Sequence, residues 1–325
     1  REVLGEVMVR TSRRQSAIQF PERRVESISV PMRGRERRFY EELLGVLRRA
    51  FHSAPKKERN LLPLVLVLRE ACSHPPAACR SLEAMLRRGS LPGCPAAAVA
   101  GLGEAARSIR PAKMAALLEA VRRAGGKCLV FTEFRSTQRA LIGLFESEGL
   151  RAVAFHGGLT AAGKDEAIRR FREWGDVLVA TDAGSEGRNL QFCNVVVNYD
   201  LPWNPMRIEQ RIGRVHRLGQ ERPVHVVNLA AEGTVESYVL YVLEKKIGMF
   251  HKVIGEVDAI LADLGTSLEE RVARAFLASD AEMRERLEAF ERELEEAVAR
   301  YERARALNAA LFDGEAERGG GEWIS

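Results

Sequence analysis

Short apolar runs that are rich in valine recur through the middle of the chain. Five such runs occur, and they read KCLVFT (127–132), RAVAFH (151–156), DVLVAT (176–181), NVVVNYD (194–200) and PVHVVNLA (223–230). Unbroken apolar runs of this length are typical of strands that are buried on both faces. Helical start and stop signals mark the segments between them, at residues 136–149, 160–174 and 204–219. Alternating strands and helices predict an α/β fold, with a parallel sheet covered by helices on both faces.

The residues before this regular pattern divide into two parts. Residues 1–60 are rich in arginine, and only SISVPMRG (27–34) alternates like a short strand, so we interpret this part as a basic connecting segment. The apolar stretch LLPLVLVLREAC (61–72) is long enough for a buried helix. Prolines and alanines are frequent in the rest of residues 61–112, which we interpret as a helical insertion ahead of the main domain at 113–265.

A different periodicity begins after residue 265, where apolar residues recur among Glu and Arg at spacings of three, four and seven. They are Val272, Phe276, Met283, Leu287, Phe290, Leu294, Val298 and Tyr301. This spacing predicts one long amphipathic helix, followed by a loose tail, within residues 266–325. The helix either packs on the main domain or pairs in a coiled coil.

The composition is that of an ordinary globular protein, with 46% apolar and 29% charged residues. The formal charge is +5, and residues 1–60 hold 15 Lys and Arg against 8 Asp and Glu, which permits a polyanion partner. Five cysteines, an odd number, suit a reducing compartment. No apolar run reaches the roughly 18–20 residues that span a bilayer, and the N-terminus does not read as a signal peptide, so we expect a cytoplasmic protein without a membrane partner. Because the sequence begins with Arg1 rather than Met, we also expect it to be the latter part of a longer protein.

A dense cationic segment, QRIGRVHRLGQ (210–220), follows the fourth of these apolar runs. Asn204 before Pro205 predicts a helix start, because the Asn side chain caps the helix and proline fits its first position. Gly219 predicts the end of that helix, since glycine is the usual residue just after a helix. The cationic segment should therefore lie on one helix.

Helical spacing divides this predicted helix into two faces. The apolar face carries Ile208, Ile212 and Val215. The opposite face carries Gln210, Arg214 and Arg217. On an arbitrary surface helix such a basic face is simply solvated. Here the helix follows the carboxyl end of a strand, where parallel sheets bind ligands, and paired guanidinium groups suit the oxygens of a polyphosphate, so we predict a phosphate-bearing ligand.

The block ATDAGSEGRNLQFCNVVVNYDLPWNPMRIEQRIGRVHRLGQ (180–220) resembles motifs V and VI of superfamily 2 helicase-like ATPases. Within that superfamily it resembles the SNF2 family of double-stranded DNA translocases, in particular the bacterial branch that includes RapA. Supporting motifs are KCLVFTEF, FHGG, LREACSHP and PAKM, and the resemblance covers roughly residues 60–265. It implies that residues 113–265 form the second of two RecA-like lobes, with an α/β fold.

Proteins of this family close two RecA-like lobes around ATP and Mg²⁺, and the first lobe supplies the phosphate loop and the magnesium-binding acidic motif. The resemblance implies that Arg214 and Arg217 are arginine fingers and that Gln210 is a polar helper facing the phosphates. A finger of this kind raises turnover about 10³–10⁵-fold. The resemblance also implies that Gly187 and Asn189 lie beside the ribose of the nucleotide, although the same residues suit an ordinary tight turn.

Contacts with DNA are implied at the ends of the predicted strands. The residues concerned are Thr132, Gly157, Thr181 and Ser185, where family members touch the phosphate backbone with hydroxyls and amides. Such contacts position DNA without reading its sequence, as translocation requires, but ordinary turn and cap chemistry is the alternative at each residue. Asp182 ends a predicted strand and either caps the following turn or helps couple DNA to ATP.

The sequence departs from the family in one respect, since it contains neither a G-x-x-x-x-G-K-[ST] phosphate loop nor an Asp-Glu pair ahead of KCLVFTEF. Residues 1–24 resemble the segment with which the first lobe ends. We therefore expect the first lobe to lie upstream in the same native chain, and the present chain alone to hydrolyse almost no ATP. The expected partners are double-stranded DNA and that lobe, and the expected location is cytoplasmic and nucleoid-associated.

Two other classes of function stay open. One is a catalytically silent module that binds nucleic acid or RNA polymerase, the latter through the helix at 266–312. The other is a strand-separating helicase of superfamily 2, although the R-x-G-Q ending at 217–220 favours the SNF2 family. We interpret Trp203 as a packing residue and His216 as a packed or exposed side chain. No metal site is expected, because the cysteines lack a C-x₂-C spacing.

Overall fold

Six parallel strands form a sheet in the described part of the protein. The computed structural model describes residues 21–55, 60–182, 190–249, 254–262 and 267–316. The strands are β1 (Arg23–Val30), β2 (Cys128–Thr132), β3 (Ala152–Phe155), β4 (Val177–Thr181), β5 (Val195–Asn198) and β6 (Val224–Ala231). Their order across the sheet is β1-β6-β5-β2-β4-β3. The predicted parallel sheet of an α/β fold is therefore confirmed.

Helices connect the strands and cover the sheet. In chain order they are α1 (Arg35–Ser53), α2 (Leu61–Ser73), α3 (Pro75–Arg87), α4 (Ala96–Arg107), α5 (Ala112–Ala124), α6 (Arg135–Ser147), α7 (Ala161–Glu173), α8 (Pro205–Ile212), α9 (Val235–Tyr241), α10 (Ile254–Ala262), α11 (Leu268–Phe276) and α12 (Asp280–Ala316). A short π-helical stretch, Val242–Lys246, continues α9. In the ranges that the structure describes, no helix combines the length and the apolar character needed to cross a membrane.

The central strands serve two hydrophobic cores, because successive side chains of a strand point to opposite faces of the sheet. On β2, Leu129 and Phe131 belong to the larger core, whereas Cys128 and Val130 belong to the smaller one. Helices α5 and α6 cover the smaller core, and α7 and α8 are among the helices that cover the larger one. Every residue of β2 is buried, which explains why this strand is an unbroken apolar run in the sequence.

The helices predicted between the strands lie where the sequence placed them, with one exception described below. Helices α6 and α7 match the predicted segments to within two residues at each end. Thr160 caps α7, since its hydroxyl accepts a hydrogen bond from the Gly163 amide at 3.1 Å. The apolar stretch at 61–72 is confirmed as helix α2.

Strand β1 corrects the interpretation of residues 1–60 as connecting structure. It runs parallel to β6 from Arg23, opposite Val224, to Val30, opposite Ala231. It is an edge strand, and exposed side chains at Arg24, Glu26 and Ser29 interrupt it, so it does not form an apolar run. Part of this basic segment therefore belongs to the sheet of the main domain.

The C-terminal periodicity belongs to two helices, so the prediction of one continuous helix was wrong. Ser279 and Glu282 form a capping box that starts α12 anew after the end of α11. The Glu282 amide donates to the Ser279 hydroxyl at 3.4 Å, and the Ser279 amide donates to the Glu282 carboxylate at 3.1 Å.

The apolar residues of these two helices pack on the main domain. The buried ones are Val272, Phe276, Phe290 and Leu294. Met283, Leu287, Val298 and Tyr301 are half-buried and pack against the same larger core. Of the two arrangements that the sequence left open, the structure has the helix packed within its own chain.

Candidate nucleotide-binding site

Helix α8 begins as the sequence predicts. The Asn204 side chain accepts a hydrogen bond from the Met206 amide at 2.8 Å, and Pro205 occupies the first helical position. The apolar face predicted for this segment is buried in the larger core, and it comprises Ile208, Ile212 and Val215. This burial fixes the segment against the sheet and determines which side chains can face outward.

The predicted end of this helix at Gly219 was wrong, because α8 ends at Ile212. Beyond it the chain forms tight turns, in which the amides of Arg214 and Val215 bond to carbonyls three residues earlier, both at 3.1 Å. The Arg214 carbonyl accepts a hydrogen bond from the Leu190 amide at 3.1 Å. This bond joins the turns to a separate segment of the chain.

The turns after α8 are held in place by the buried side chain of Gln220. Its amide nitrogen donates to the carbonyls of Gln191, Cys193 and Val215 at 2.9, 3.0 and 3.2 Å. Two of these bonds link the cationic segment to the chain that leads into β5, and the third closes the turn within the segment. The turns therefore have a defined conformation although they are not helical.

Two of the three polar residues predicted for the outer face, Gln210 and Arg217, are exposed, and Arg214 is half-buried. The Nε atom of Arg217 donates to the Gly213 carbonyl at 2.6 Å, which holds the base of its guanidinium group. Within the described ranges, Arg217 makes no ion pair. Its positive charge is therefore available to an external anion.

The two arginines follow α8 on the segment that returns from the carboxyl edge of the sheet to its amino edge. Strand β5 ends at Asn198, whereas β6 starts beside the beginning of β5, with Val195 opposite His225. Residues 199–223 must therefore cross from the carboxyl edge to the amino edge. The arginines occupy the second half of this crossing, beyond the end of α8.

A third arginine of the cationic segment, Arg211, is buried, and sequence reasoning gave it no role. Its Nε atom donates to Asp182 at 2.6 Å, and its Nη1 atom donates to the Asn198 side chain at 3.0 Å and to the Asp200 carbonyl at 2.7 Å. Its guanidinium group also lies over the Phe131 ring, 5.0 Å from the centroid. Asp182 thus forms an ion pair that ties the end of β4 to α8.

A second buried ionic cluster lies beside the first and was also missed. Lys113 Nζ lies 2.8 Å from both carboxylate oxygens of Glu236 and 3.6 Å from Asp200 Oδ1. The ammonium group also lies 4.5 Å from the centre of the Tyr199 ring. All three charged side chains are at most 4% exposed. The cluster joins the start of α5 to α9 and to the end of β5.

Burial and pairing act on this cluster in opposite directions. Burial disfavours the charged form of Lys113, but the carboxylates of Glu236 and Asp200 outweigh it and hold the pKa of Lys113 above its ordinary value. Burial raises the pKa of Glu236, and the neighbouring ammonium opposes that rise only in part. Lys113 therefore keeps its positive charge at neutral pH although its side chain is buried.

The predicted DNA-contacting residues differ in accessibility. Thr132 is fully buried, and its hydroxyl donates to Asp200, so this geometry does not support a contact between that hydroxyl and DNA. Thr181 is buried as well, with 6% exposure. Gly157 is exposed in the turn after β3. The remaining predicted residues Ser185, Gly187 and Asn189 lie outside the described residues.

The turn that contains Gly157 is basic. Burial lowers the pKa of His156, and the nearby charges of Arg135 and Lys164 lower it further. Arg135 Nη1 lies 3.3 Å from the place where a Cβ atom would stand if residue 158 were not glycine. Cations thus gather around an exposed backbone turn, an arrangement that suits a phosphate group.

Trp203 and His216 are both buried. The guanidinium group of Arg69 lies 5.3 Å from the centre of the Trp203 ring, in keeping with the packing role predicted for this residue. The Nε2 atom of His216 donates to the Pro21 carbonyl at 2.9 Å. Among the side chains that the structure describes, no group of three or more His, Cys, Asp or Glu is placed to hold a metal ion.

Comparison with known proteins identifies the part of the chain that holds this site. The family profile described as the helicase conserved C-terminal domain matches residues 112–219. The match begins at the start of α5 and ends in the turns after α8. It therefore includes both buried ionic clusters except Glu236, and it includes the arginine candidates Arg214 and Arg217.

Two curated relatives extend the similarity. The chain is 36% identical over 267 residues to the uncharacterized ATP-dependent helicase YqhH of Bacillus subtilis, covering 81% of this chain and 47% of YqhH. It is 45% identical over 100 residues to the RNA polymerase-associated protein RapA of Proteus mirabilis, covering 30% of this chain and 10% of RapA. The chain thus spans about half the length of the first relative and a tenth of the second.

Solved structures show the same fold. The C-terminal part of the Fun30 ATPase domain aligns with a TM-score of 0.57 at 17% identity, covering 82% of this chain and 98% of that one. The SWI2/SNF2 ATPase core of Sulfolobus solfataricus, in complex with double-stranded DNA, aligns with a TM-score of 0.52 at 20% identity, covering 81% and 50%. These likenesses confirm the RecA-like fold.

Proposed function

Because the chain belongs to the SNF2 family of helicase-like ATPases and forms their C-terminal lobe, we propose that it is the second motor lobe of an ATP-dependent translocase on double-stranded DNA. In this proposal ATP binds between this lobe and a first RecA-like lobe supplied upstream in the native protein. Arg214 and Arg217 act as arginine fingers, and Gln210 is their polar neighbour.

The observation that carries this proposal is the rigid mounting of an outward-facing cationic segment. The apolar face of α8 is buried, Gln220 holds the following turns through three hydrogen bonds, and Arg217 stays exposed without an ion pair in the described ranges. A guanidinium group whose base is fixed while its fork faces solvent is suited to a polyphosphate that arrives from outside. Such a group stabilises the charge that develops on a transferring phosphoryl group.

The residues present fit one side of an ATP site. Arg214 and Arg217 would contact phosphate oxygens, while Gly187 and Asn189 would lie near the ribose. The phosphate loop and the acidic residues that hold Mg²⁺ would come from the first lobe, since this sequence has no such loop. The present chain alone should therefore bind ATP weakly and hydrolyse almost none.

Duplex DNA would contact the lobe at the basic turn after β3. Exposed Gly157, with Arg135 and Lys164 close by, offers backbone amides and positive charge to a phosphate. Contacts with phosphates carry no base information, which suits a motor that steps along any sequence. The Sulfolobus ATPase core, which has a related fold, was solved in complex with double-stranded DNA, and this supports DNA as the partner to test.

A catalytically silent module that binds RNA polymerase is the second candidate, because the relative RapA is named as an RNA polymerase-associated protein. The form of this hypothesis that uses the helix at 266–312 is weakened by the structure. The apolar residues of that helix already pack on the larger core, so only its polar sides are left for a partner. A strand-separating helicase of the same superfamily is the third candidate.

The test is ATP turnover by the native protein that contains this chain and its upstream lobe, with and without duplex DNA. Duplex DNA should raise turnover, and Arg214→Ala should lower it about 10³-fold or more. Arg107→Ala is the control for the loss of a surface arginine, since Arg107 lies on α4 with 75% of its side chain exposed and should stay close to wild type. A forked duplex should not be unwound.

Each rival has its own outcome. Background turnover in a protein with an intact phosphate loop would mean a silent module. ATP-dependent release of one strand from the forked duplex would mean a true helicase. If ATP turnover is unchanged in Arg214→Ala, this arginine is not an arginine finger.

A further inference from the structure

The chain that enters strand β1 makes one contact with α8 and one with the cationic segment. Arg23 Nη1 lies 2.9 Å from both carboxylate oxygens of Glu209 on α8. The Pro21 carbonyl accepts the hydrogen bond from His216 Nε2 at 2.9 Å. We refer to these two contacts as the clasp.

Both contacts of the clasp are shielded from solvent, which should make them strong. The side chains of Arg23 and Glu209 are only 17% and 11% exposed, so their attraction is screened less than that of a surface pair. His216 is 7% exposed, and a carbonyl can only accept, so its Nε2 atom carries the hydrogen. Both contacts join parts of the chain that lie more than 180 positions apart.

The two contacts bracket the first arginine finger. Glu209 precedes Arg214 by five positions, and His216 follows it by two, between Arg214 and Arg217. In the same region the Glu22 carbonyl accepts a hydrogen bond from the Val224 amide at 2.8 Å, just where β6 begins. The leading chain is therefore fixed to both the start of β6 and the segment before it.

From this geometry we propose that Arg23, Glu209 and His216 are positioning residues, which set the place of Arg214 and Arg217 according to the course of the chain entering β1. This inference rests on the proposed function, in which the upstream chain comes from the first lobe. In this role Pro21 and Arg23 hold the backbone on both sides of Arg214 against the start of β1.

The charge-reversal pair Arg23→Glu and Glu209→Arg tests this inference in the native protein with its upstream lobe. Each single variant should lower kcat roughly 10- to 100-fold with little change in KM for ATP, because misplaced fingers weaken the transition state more than the ground state. The double variant restores an ion pair of reversed sign and should recover most of kcat. His216→Phe, which keeps a ring but loses the donor, should lower kcat in the same direction.

A matched control lies one residue further along the same strand. Arg24 pairs with Glu22, and both side chains are 59% exposed. Arg24→Glu changes charge by the same amount without touching α8, so its kcat should stay at the wild-type level. Thermal unfolding of every variant separates a loss of kcat from a loss of folded protein.

Hydrogen–deuterium exchange in the native protein without ATP supplies a readout that needs no ATPase activity. The amides of 213–220 should exchange about tenfold faster in Arg23→Glu than in wild type, and at the wild-type rate in the double variant. If exchange is faster in Arg23→Glu but Arg214→Ala leaves ATP turnover unchanged, the proposed function is overturned. The clasp would then remain as a contact that stabilises residues 213–220. Unchanged exchange and unchanged kcat in Arg23→Glu, or no recovery in the folded double variant, would overturn the clasp itself.

Discussion

Replacing Lys113 with Met should be among the more destabilising single substitutions in the described part of the chain. Met keeps the length and the apolar stem of lysine but removes the ammonium group between Glu236 and Asp200. Those carboxylates are 4% and 3% exposed, so water cannot replace the lost partner. Breaking a buried pair in this way costs about 3–5 kcal/mol of unfolding free energy. For domains of about 150–250 residues this corresponds to a fall in Tm of roughly 6–20 °C.

The loss should depend on pH with a definite sign. Burial already raises the pKa of Glu236, and removal of the ammonium raises it further. Since a protonated Glu236 needs no cation, the variant should lose less stability at about pH 5 than at about pH 8. In the wild type, the contribution of Lys113 is fully present below the ordinary lysine pKa and is lost only as pH rises through its raised value.

Urea and thermal unfolding followed by circular dichroism give the required free energies. Lys245→Met is the matched control, because Lys245 is 66% exposed and pairs with Glu244 at the surface, where such pairs contribute about 0–1 kcal/mol. The double variant Lys113→Met, Glu236→Met removes both members of the closest pair and should regain much of the loss. A Lys113→Met protein as stable as the Lys245→Met protein would refute the reasoning, as would a double variant no more stable than the single one.

Three further predictions concern the rest of the site. Thr132→Val removes the hydroxyl that donates to Asp200 and should cost about 1–3 kcal/mol, measured by urea unfolding; no loss would mean that the bond is dispensable. Asn204→Ala removes the cap of α8 and should cost about 1 kcal/mol in the same assay, whereas Asn204→Asp should keep most of it. A DNA phosphate near the turn after β3 should raise the lowered pKa of His156, so duplex binding should tighten from about pH 7.5 to about pH 5.5, and a His156→Asn protein with the same pH dependence would contradict this.

The sheet was largely predictable because its central strands are buried on both faces. A run such as KCLVFT has no polar position that could face water, so its assignment needed no tertiary information. Strand β1 has the opposite character, since Arg24 and Glu26 interrupt it and face solvent at the edge of the sheet. Its pairing with β6 depends on residues about 200 positions away, which local periodicity cannot report.

The candidate site was predictable only in its exposed part. Helical spacing separated the buried Ile208 from the outward Gln210, because burial of a helix face follows from sequence alone. The role of Arg211 was missed, although its position three residues after Ile208 places it toward the apolar face and could have signalled a buried cation. Its partners come from the ends of β4 and β5 and are brought together only by the sheet order.

The helix end was missed for a similar reason. Gly219 has the left-handed backbone that often follows a helix, with φ of +88°. The helix nevertheless ends seven residues earlier, and two residues beyond its end the Arg214 carbonyl bonds to Leu190 from another segment. A tertiary contact of this kind overrides a local stop signal, and no pattern within α8 records it.

The pairing of β1 with β6 also sets the order in which this lobe can fold during synthesis. Arg23 leaves the ribosome about 200 residues before its partner Val224, which is a delay of roughly 10–40 s at ordinary rates of translation. Throughout that delay β1 lacks β6, the strand that it pairs with in the described part of the chain. Its exposed Arg24 and Glu26 keep the waiting strand polar on one side, which protects it from pairing with other chains. The same polar residues that prevent the prediction of β1 from sequence thus lower the risk of aggregation before the sheet is complete.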